Sequence, residues 1–301
     1  MNISTQELKG KAEEGRTLLT PNRLTLLRIL LLPLPCLLLF LESTSAKVAS
    51  LALGSLLGLT DYADGLLARR LRKKSFLGAL LDPVADKIFI TSVFLILSYL
   101  KYVSYPLVFL LIFRELIVAV MRSLFPEDMR VVGIARLKTL FQMLFAGIII
   151  TVNAFFPSFS HLSDYLLSAV VFISYLSAIP YFYRFSKALF LKPVPLFAFF
   201  RSFSTLLYPI SLLILFPNAG KFFFIPIVAL NLYIFRNGLA KVIPFRKKSE
   251  NFLYLLAALG SIAEYLIRGE LYFSLILVLV ISFYKDGFKS AKIIWDILRL
   301  R

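Results

Sequence analysis

The chain has 301 residues, 59% of them hydrophobic, with a mean hydropathy of +0.83; a soluble globular domain carries roughly 45–50% apolar residues, so the excess points to the bilayer. A formal net charge of +17 would suggest nucleic acid in a soluble protein, but the cations here sit in short loops between apolar runs, where the positive-inside bias puts them and where they can face anionic headgroups or an anionic substrate, so no nucleic-acid partner is expected. A single cysteine, Cys36, excludes intrachain disulfides and cysteine metal sites, and a single histidine, His161, in a polar loop, argues against a His-ligated zinc and a Ser-His-Asp triad.

Residues 1–20 are polar and suit the membrane surface. The apolar stretch after them runs on without a small-residue cleavage site, so no cleavable secretion signal is expected. Apolar runs of spanning length predict about ten helices, because only helices satisfy their own backbone in lipid. They are placed near 24–41, 46–66, 83–100, 104–124, 138–156, 165–186, 195–216, 221–236, 252–268 and 270–284. The fold class is therefore all-α, a polytopic transmembrane helical bundle. Strong cations crowd alternate loops (69–74, 130–138, 184–192, 236–248 and the tail 285–301), whereas Lys47, Lys101, Lys221 and Arg268 mark the other side. That alternation predicts both termini in the cytoplasm and a multi-pass protein of the cytoplasmic membrane. Charged residues enter the apolar helices before Lys192-Pro193 and become sparse afterwards, so the chain divides into residues 1–190 and 191–301.

The chemistry gathers between residues 61 and 86. On a helix, Asp61 and Asp64 are neighbours on one face, with Gly65 and Ala68 beside them; Asp82 and Asp86, four apart, share a face of the next helix. Two helices joined by a short basic turn would aim four carboxylates at one spot near the membrane surface. Like charges so close repel and resist desolvation. A hard dication relieves both problems, and all-oxygen ligation suits Mg²⁺ or Mn²⁺. Gly65 and Gly78 allow close approach of a ligand or a helix, and Arg69 offers a fork that matches a phosphate. The bland alternative is a solvated turn in which these acids pair with Arg69, Arg70, Arg72, Lys73 and Lys74. It weakens for all four together, since ionisable groups at the mouth of a membrane bundle usually mark function. Farther on, Arg114 and Arg122 lie eight apart on one helix and project to roughly the same side. A buried arginine there asks for a partner, and Arg114 can take Glu115 or snorkel.

The pattern Asp-x2-Asp-Gly-x2-Ala-Arg-x8-Gly-x3-Asp-x3-Asp, from Asp61 to Asp86, resembles that of the CDP-alcohol phosphatidyltransferases, with every fixed position present. The likeness spans roughly residues 20–190. Pro21–Arg28, Leu81–Lys87, Arg114-Glu115 and Arg136–Gln142 are most similar to the bacterial subgroup that makes phosphatidylglycerophosphate. The resemblance implies a six-helix core, to which this chain adds about four C-terminal helices. It implies that Asp61, Asp64, Asp82 and Asp86 hold two Mg²⁺ or Mn²⁺ ions at the diphosphate of CDP-diacylglycerol, with Asp86 also acting as general base. Gly65, Ala68, Arg69 and Gly78 are then the CDP-binding positions. Arg114, Arg122 and Lys138 become candidates to clamp the phosphate of glycerol 3-phosphate, with Arg136 in reserve, and a homodimer among membrane lipids is expected. No role is derived for Thr25, and helix capping accounts for Asn22.

Two other readings stay open. A family member with another acceptor, such as phosphatidylglycerol, inositol phosphate or serine, would keep the motif and reassign the cations. A non-enzymatic transporter or scaffold would make residues 191–301 the working part, with Arg201 and Glu264 as intramembrane charges, although neither paired broken helices nor an inverted repeat is visible in the sequence.

Overall fold

Apolar runs that cannot bond to lipid must close their backbone on themselves, and the apolar runs among the described residues are helical. The computed structural model describes residues 31, 33–41, 43–70, 76–125, 134–191, 196–239 and 280; the side chains of 59–70, 76–83, 123, 134–137, 196–205, 221 and 237–239 lie outside that description. Among the described residues the α-helices are α1 (Pro33–Leu38), α2 (Thr44–Arg70), α3 (Phe76–Tyr99), α4 (Tyr105–Leu124), α5 (Ile134–Phe155), α6 (Leu162–Leu176), α7 (Ile179–Leu191), α8 (Leu196–Leu215) and α9 (Phe224–Leu239). Short 3-10 turns at Pro157–Phe159, Phe216–Asn218 and Gly220–Phe222 join α5 to α6 and α8 to α9. The all-α bundle expected from the sequence is the one observed. The expected span 252–268, all of 270–284 except residue 280, and residues 24–30 and 32 of the span 24–41 fall outside the described residues.

The run 165–186, read as one span, falls within Leu162–Leu191, which is long and apolar enough to cross a membrane, and inside it the helix is divided between α6 and α7 by a break at Ser177–Ala178. The cause is Pro180, in the first turn of α7: it has no N–H to offer the carbonyl of Leu176, and its fixed φ suits a helix start. The Ser177 N–H closes α6 on the Ile173 carbonyl at 3.0 Å.

The ends of the central helices are set by specific contacts. Lys101 adopts a left-handed backbone (φ 60) after α3, and the following Tyr102 N–H returns to the Leu97 carbonyl at 2.9 Å, which stops that helix. α4 starts after Ser104, with Pro106 in its first turn. The Ser104 N–H donates to Asp164 Oδ1 of α6 at 2.6 Å, placing a carboxylate on the positive end of α4.

α3 and α4 lie at the centre. α3 packs against α1, α4, α5 and α9, while α4 packs against α6, α7 and α8; α2 leans on α1 and α5. The fully buried side chains Phe94, Leu97, Leu111, Ile149, Leu212 and Leu213 come from α3, α4, α5 and α8. Residues 196–239 are therefore part of the bundle wall. Tyr105 Oη of α4 donates to the Leu213 carbonyl of α8. Tyr99 stacks on Phe223 with ring centroids 3.7 Å apart. Asn231 Nδ2 of α9 donates to Ser92 Oγ of α3 at 2.7 Å. On the outside, Phe172, Tyr183 and Phe190 are 65%, 68% and 90% exposed, an apolar surface suited to lipid. Lys138–Phe155 and Leu162–Leu191 are long and apolar enough to cross a membrane.

Candidate active site

α4 carries arginines at positions 114 and 122, about two turns apart, so both face the same neighbour. That neighbour is the α6–α7 break. Arg114 is 3% exposed, and its Nη2 donates to Ser177 Oγ at 2.8 Å. Ser177 Oγ in turn donates to the Ser174 carbonyl at 2.7 Å, which fixes the hydroxyl as an acceptor for the arginine. Arg122 lies over the Tyr181 ring, 4.6 Å from its centroid, a cation–π contact with a side chain only 1% exposed. The expectation that the two arginines share a side is met, and the interruption that Pro180 makes in the helix supplies both of their partners.

Glu115 collects the charges. Its Oε1 accepts from Arg114 Nη1 at 2.9 Å and from Lys138 Nζ of α5. Lys87 of α3 lies within Coulombic reach of Glu115, and Arg122 within reach of Lys138. Three cations from α3, α4 and α5 thus gather at one glutamate, with Arg122 near Lys138 and with Asp86 the half-buried neighbour of Lys87 in α3. A cluster of cations in a low-dielectric bundle favours an anionic ligand, above all a phosphate that can take several N–H donors at once.

The three residues expected to bind an acceptor phosphate, Arg114, Arg122 and Lys138, are therefore brought together, and Arg114 does take Glu115 as one partner. Asp61, Asp64, Gly65, Ala68 and Arg69 lie on the last turns of α2, and Gly78, Asp82 and Asp86 on the first three turns of α3. Both carboxylate pairs thus have the helical spacing read from the sequence, i,i+3 and i,i+4. α2 and α3 share α1 and α5 as packing neighbours. The side chains of Asp61, Asp64 and Asp82 lie outside the described residues, among which no three His, Cys, Asp or Glu side chains form a metal cluster. Arg136, Arg201 and Glu264 are outside the described side chains as well.

Sequence reasoning gave Lys87, Ser177 and Tyr181 no role of their own. Lys87 was legible as the cation next to Asp86; nothing local marks Ser177 or Tyr181, whose roles come from α4 packing across the break. Gln142 stands one turn past Lys138, is 1% exposed, and neither its Nε2 nor its Oε1 has a hydrogen-bond partner among the described residues.

Comparison with known proteins gives a consistent result. The family model for CDP-alcohol phosphatidyltransferase matches residues 18–180, a stretch that includes the whole Asp61–Asp86 pattern and the cation cluster. The CDP-diacylglycerol–glycerol-3-phosphate 3-phosphatidyltransferase of Wigglesworthia glossinidia brevipalpis is 31% identical over 171 residues, covering 54% of this chain and 92% of that protein. The protein of the same name from Escherichia coli K12 is 32% identical over 132 residues, covering 41% of this chain and 72% of its own length. That from Rickettsia typhi is 32% identical over 133 residues, 43% of this chain and 75% of the relative.

Proposed function

The chain belongs to the CDP-alcohol phosphatidyltransferase family, and is thus a membrane-embedded phosphatidyl-group transferase of phospholipid biosynthesis; from that premise we propose that its donor is CDP-diacylglycerol and its acceptor glycerol 3-phosphate, yielding phosphatidylglycerophosphate and CMP. The relatives carry these two substrates in their names. The observation that carries the acceptor is the meeting of Arg114, Lys138 and Lys87 at Glu115, with Arg122 near Lys138. A phosphate monoester is the acceptor that makes use of such a cluster, because its oxygens take several N–H donors at once.

Asp61, Asp64, Asp82 and Asp86 would hold the divalent ions. The donor set fits a hard cation, because it is all carboxylate and comes from two consecutive helices that lean on the same neighbours. When bound, Mg²⁺ or Mn²⁺ neutralises the diphosphate and stabilises CMP as it departs. The chain's own residues do the rest. Arg69 binds the donor's phosphate, with Gly65, Ala68 and Gly78 keeping the wall thin enough for the CDP. Arg114, Arg122 and Lys138 hold the acceptor's phosphate and so fix its hydroxyl near Asp86. Asp86 takes the hydroxyl proton. The freed oxygen forms a bond to the lipid-bearing phosphorus, and the bond from that phosphorus to the bridging oxygen breaks, releasing CMP. With the clustered cations on the cytoplasmic side, the lipid donor stays in the bilayer while the soluble acceptor arrives from the cytoplasm.

CMP release by the purified protein tests the reading. Glycerol 3-phosphate is compared with phosphatidylglycerol, inositol phosphate and serine, with and without Mg²⁺ or Mn²⁺. Metal-dependent turnover with glycerol 3-phosphate is expected, falling at least about a hundredfold in Asp86→Asn, the scale of a lost general base. Preference for a different acceptor would leave the family intact and overturn the role given to Arg114, Arg122 and Lys138.

A further inference from the structure

Lys138 and Gln142, four residues apart on α5, share one face of that helix. The neighbouring polar groups along this face are paired: buried Lys138 donates to Glu115, and half-buried Asn153, three turns beyond Gln142, donates through Nδ2 to the Ile149 carbonyl at 2.9 Å and to Ser163 Oγ at 2.8 Å. Gln142 between them is 1% exposed with both amide atoms unpartnered among the described residues. A primary amide offers two donors and two acceptor lone pairs, and burying it unused is costly. An apolar residue of similar length would fill the same space without that cost. Its presence calls for a polar partner that both gives and receives a hydrogen bond.

We propose that Gln142 is a specificity-determining residue that recognises the secondary hydroxyl of a three-carbon phosphate acceptor; the assignment rests on the acceptor reading above. A hydroxyl is at once donor and acceptor, which matches a carboxamide better than a phosphate or a carboxylate would. Four residues along a helix amount to about 6 Å of rise, a span that a three-carbon phosphate monoester covers when Lys138 holds its phosphate. With the phosphate on the cations and the secondary hydroxyl on Gln142, only the primary hydroxyl is left for Asp86. Gln142 thereby selects which oxygen reacts as well as which acceptor binds. Its amide does not titrate, so the recognition holds while nearby charges change with substrate binding.

The test uses the full chain and two acceptors, glycerol 3-phosphate and 3-hydroxypropyl phosphate, which keeps the phosphate and the primary hydroxyl and lacks the secondary one. In the wild type, kcat/KM should favour glycerol 3-phosphate by about tenfold or more, as expected where a buried polar group loses its partner. In Gln142→Leu, and in Gln142→Met should the leucine variant fail to fold, the ratio should fall to within about twofold of unity, with the whole loss on glycerol 3-phosphate. Thermal melting should be unchanged or raised. A ratio that survives either folded variant overturns the assignment and leaves Gln142 as a packing or water-holding residue. A wild type that ignores glycerol 3-phosphate overturns both this assignment and the acceptor reading, and so is distinguishable from the first failure.

Discussion

Glu115 is the hinge of the site's electrostatics, because one of its oxygens serves Arg114 and Lys138 at once. Removing its charge would leave two buried cations facing each other without an anion. Breaking a buried ion pair from one side costs about 3–5 kcal/mol, and Glu115 keeps 19% of its side chain accessible, so the low end applies. Glu115→Gln should therefore lower the melting temperature while raising KM for glycerol 3-phosphate, as the phosphate-binding cations lose their fixed positions. The single free thiol makes this easy to follow: Cys36 is 5% exposed, and a thiol-reactive fluorophore should label it only on unfolding. An unchanged labelling midpoint in Glu115→Gln would sink this account. At this scale the sequence is legible wherever partners are close in the chain. The Arg114–Glu115 contact follows from adjacency, and the shared side of Arg114 and Arg122 from helical spacing. That Lys138 also takes Glu115, and that Ser177 and Tyr181 receive the arginines, depends on packing between helices far apart in sequence.

The helices themselves were mostly readable, since an apolar run of spanning length in lipid has one structural outcome. What periodicity hid was the break at Ser177–Ala178, because the residues on both sides are apolar and one proline marks it. It also hid the role of α8 and α9. Their sequence, rich in Phe and Leu and poor in charge, fits a lipid-facing appendage as well as a bundle wall. The structure distinguishes the two through antiparallel registers. Tyr105 stacks on Phe216 and donates to the Leu213 carbonyl, so the end of α8 lies beside the start of α4, and Tyr208 meets Tyr233 of α9. Tyr99 meets Phe223 and Ser92 meets Asn231, so α9 runs back along α3 toward Asp86. Arg236 of α9, 7% exposed, reaches the same layer. Since lipid offers no hydrophobic drive between helices, these contacts hold by packing and hydrogen bonds. Asn231→Leu should cost about 0.6 kcal/mol, and at most about 1.7, the range measured for interhelical hydrogen bonds in membranes. A chain ending at residue 191 should lose the monodisperse peak of the full chain on size exclusion in detergent, because the α3 and α4 surfaces under α8 and α9 would have no partner. A well-behaved, active truncation would show that α8 and α9 are an appendage after all.

For the whole molecule, the sidedness of the charges makes a prediction that no single contact does. A polar acceptor and a general base must meet where water reaches, while the lipid donor stays in the bilayer, so the catalytic layer belongs near one surface. The positive-inside bias predicts that this surface is the cytoplasmic one. On that prediction α2 ends inside at Arg70, α3 begins inside at Phe76, and α3, α4, α5 and the α6–α7 pair cross in turn. The α3–α4 turn at Lys101 and the α5–α6 turn at His161 then lie outside, and the end of α7, with Lys187, lies inside. Lys101, His161 and Lys187 are all exposed in the structure, so each can carry a reporter without disturbing the core. On a Cys36→Ser background, an impermeant maleimide added to intact cells should label Lys101→Cys and His161→Cys but not Lys187→Cys; after permeabilisation all three should react. The pairing of the sites matters more than any one of them. Lys101 and His161 are separated by two crossings, so labelling of one without the other would break the helix count between them. Labelling of Lys187→Cys alone would invert the protein and put the carboxylates and cations outside, where a cytoplasmic phosphate monoester could not reach them.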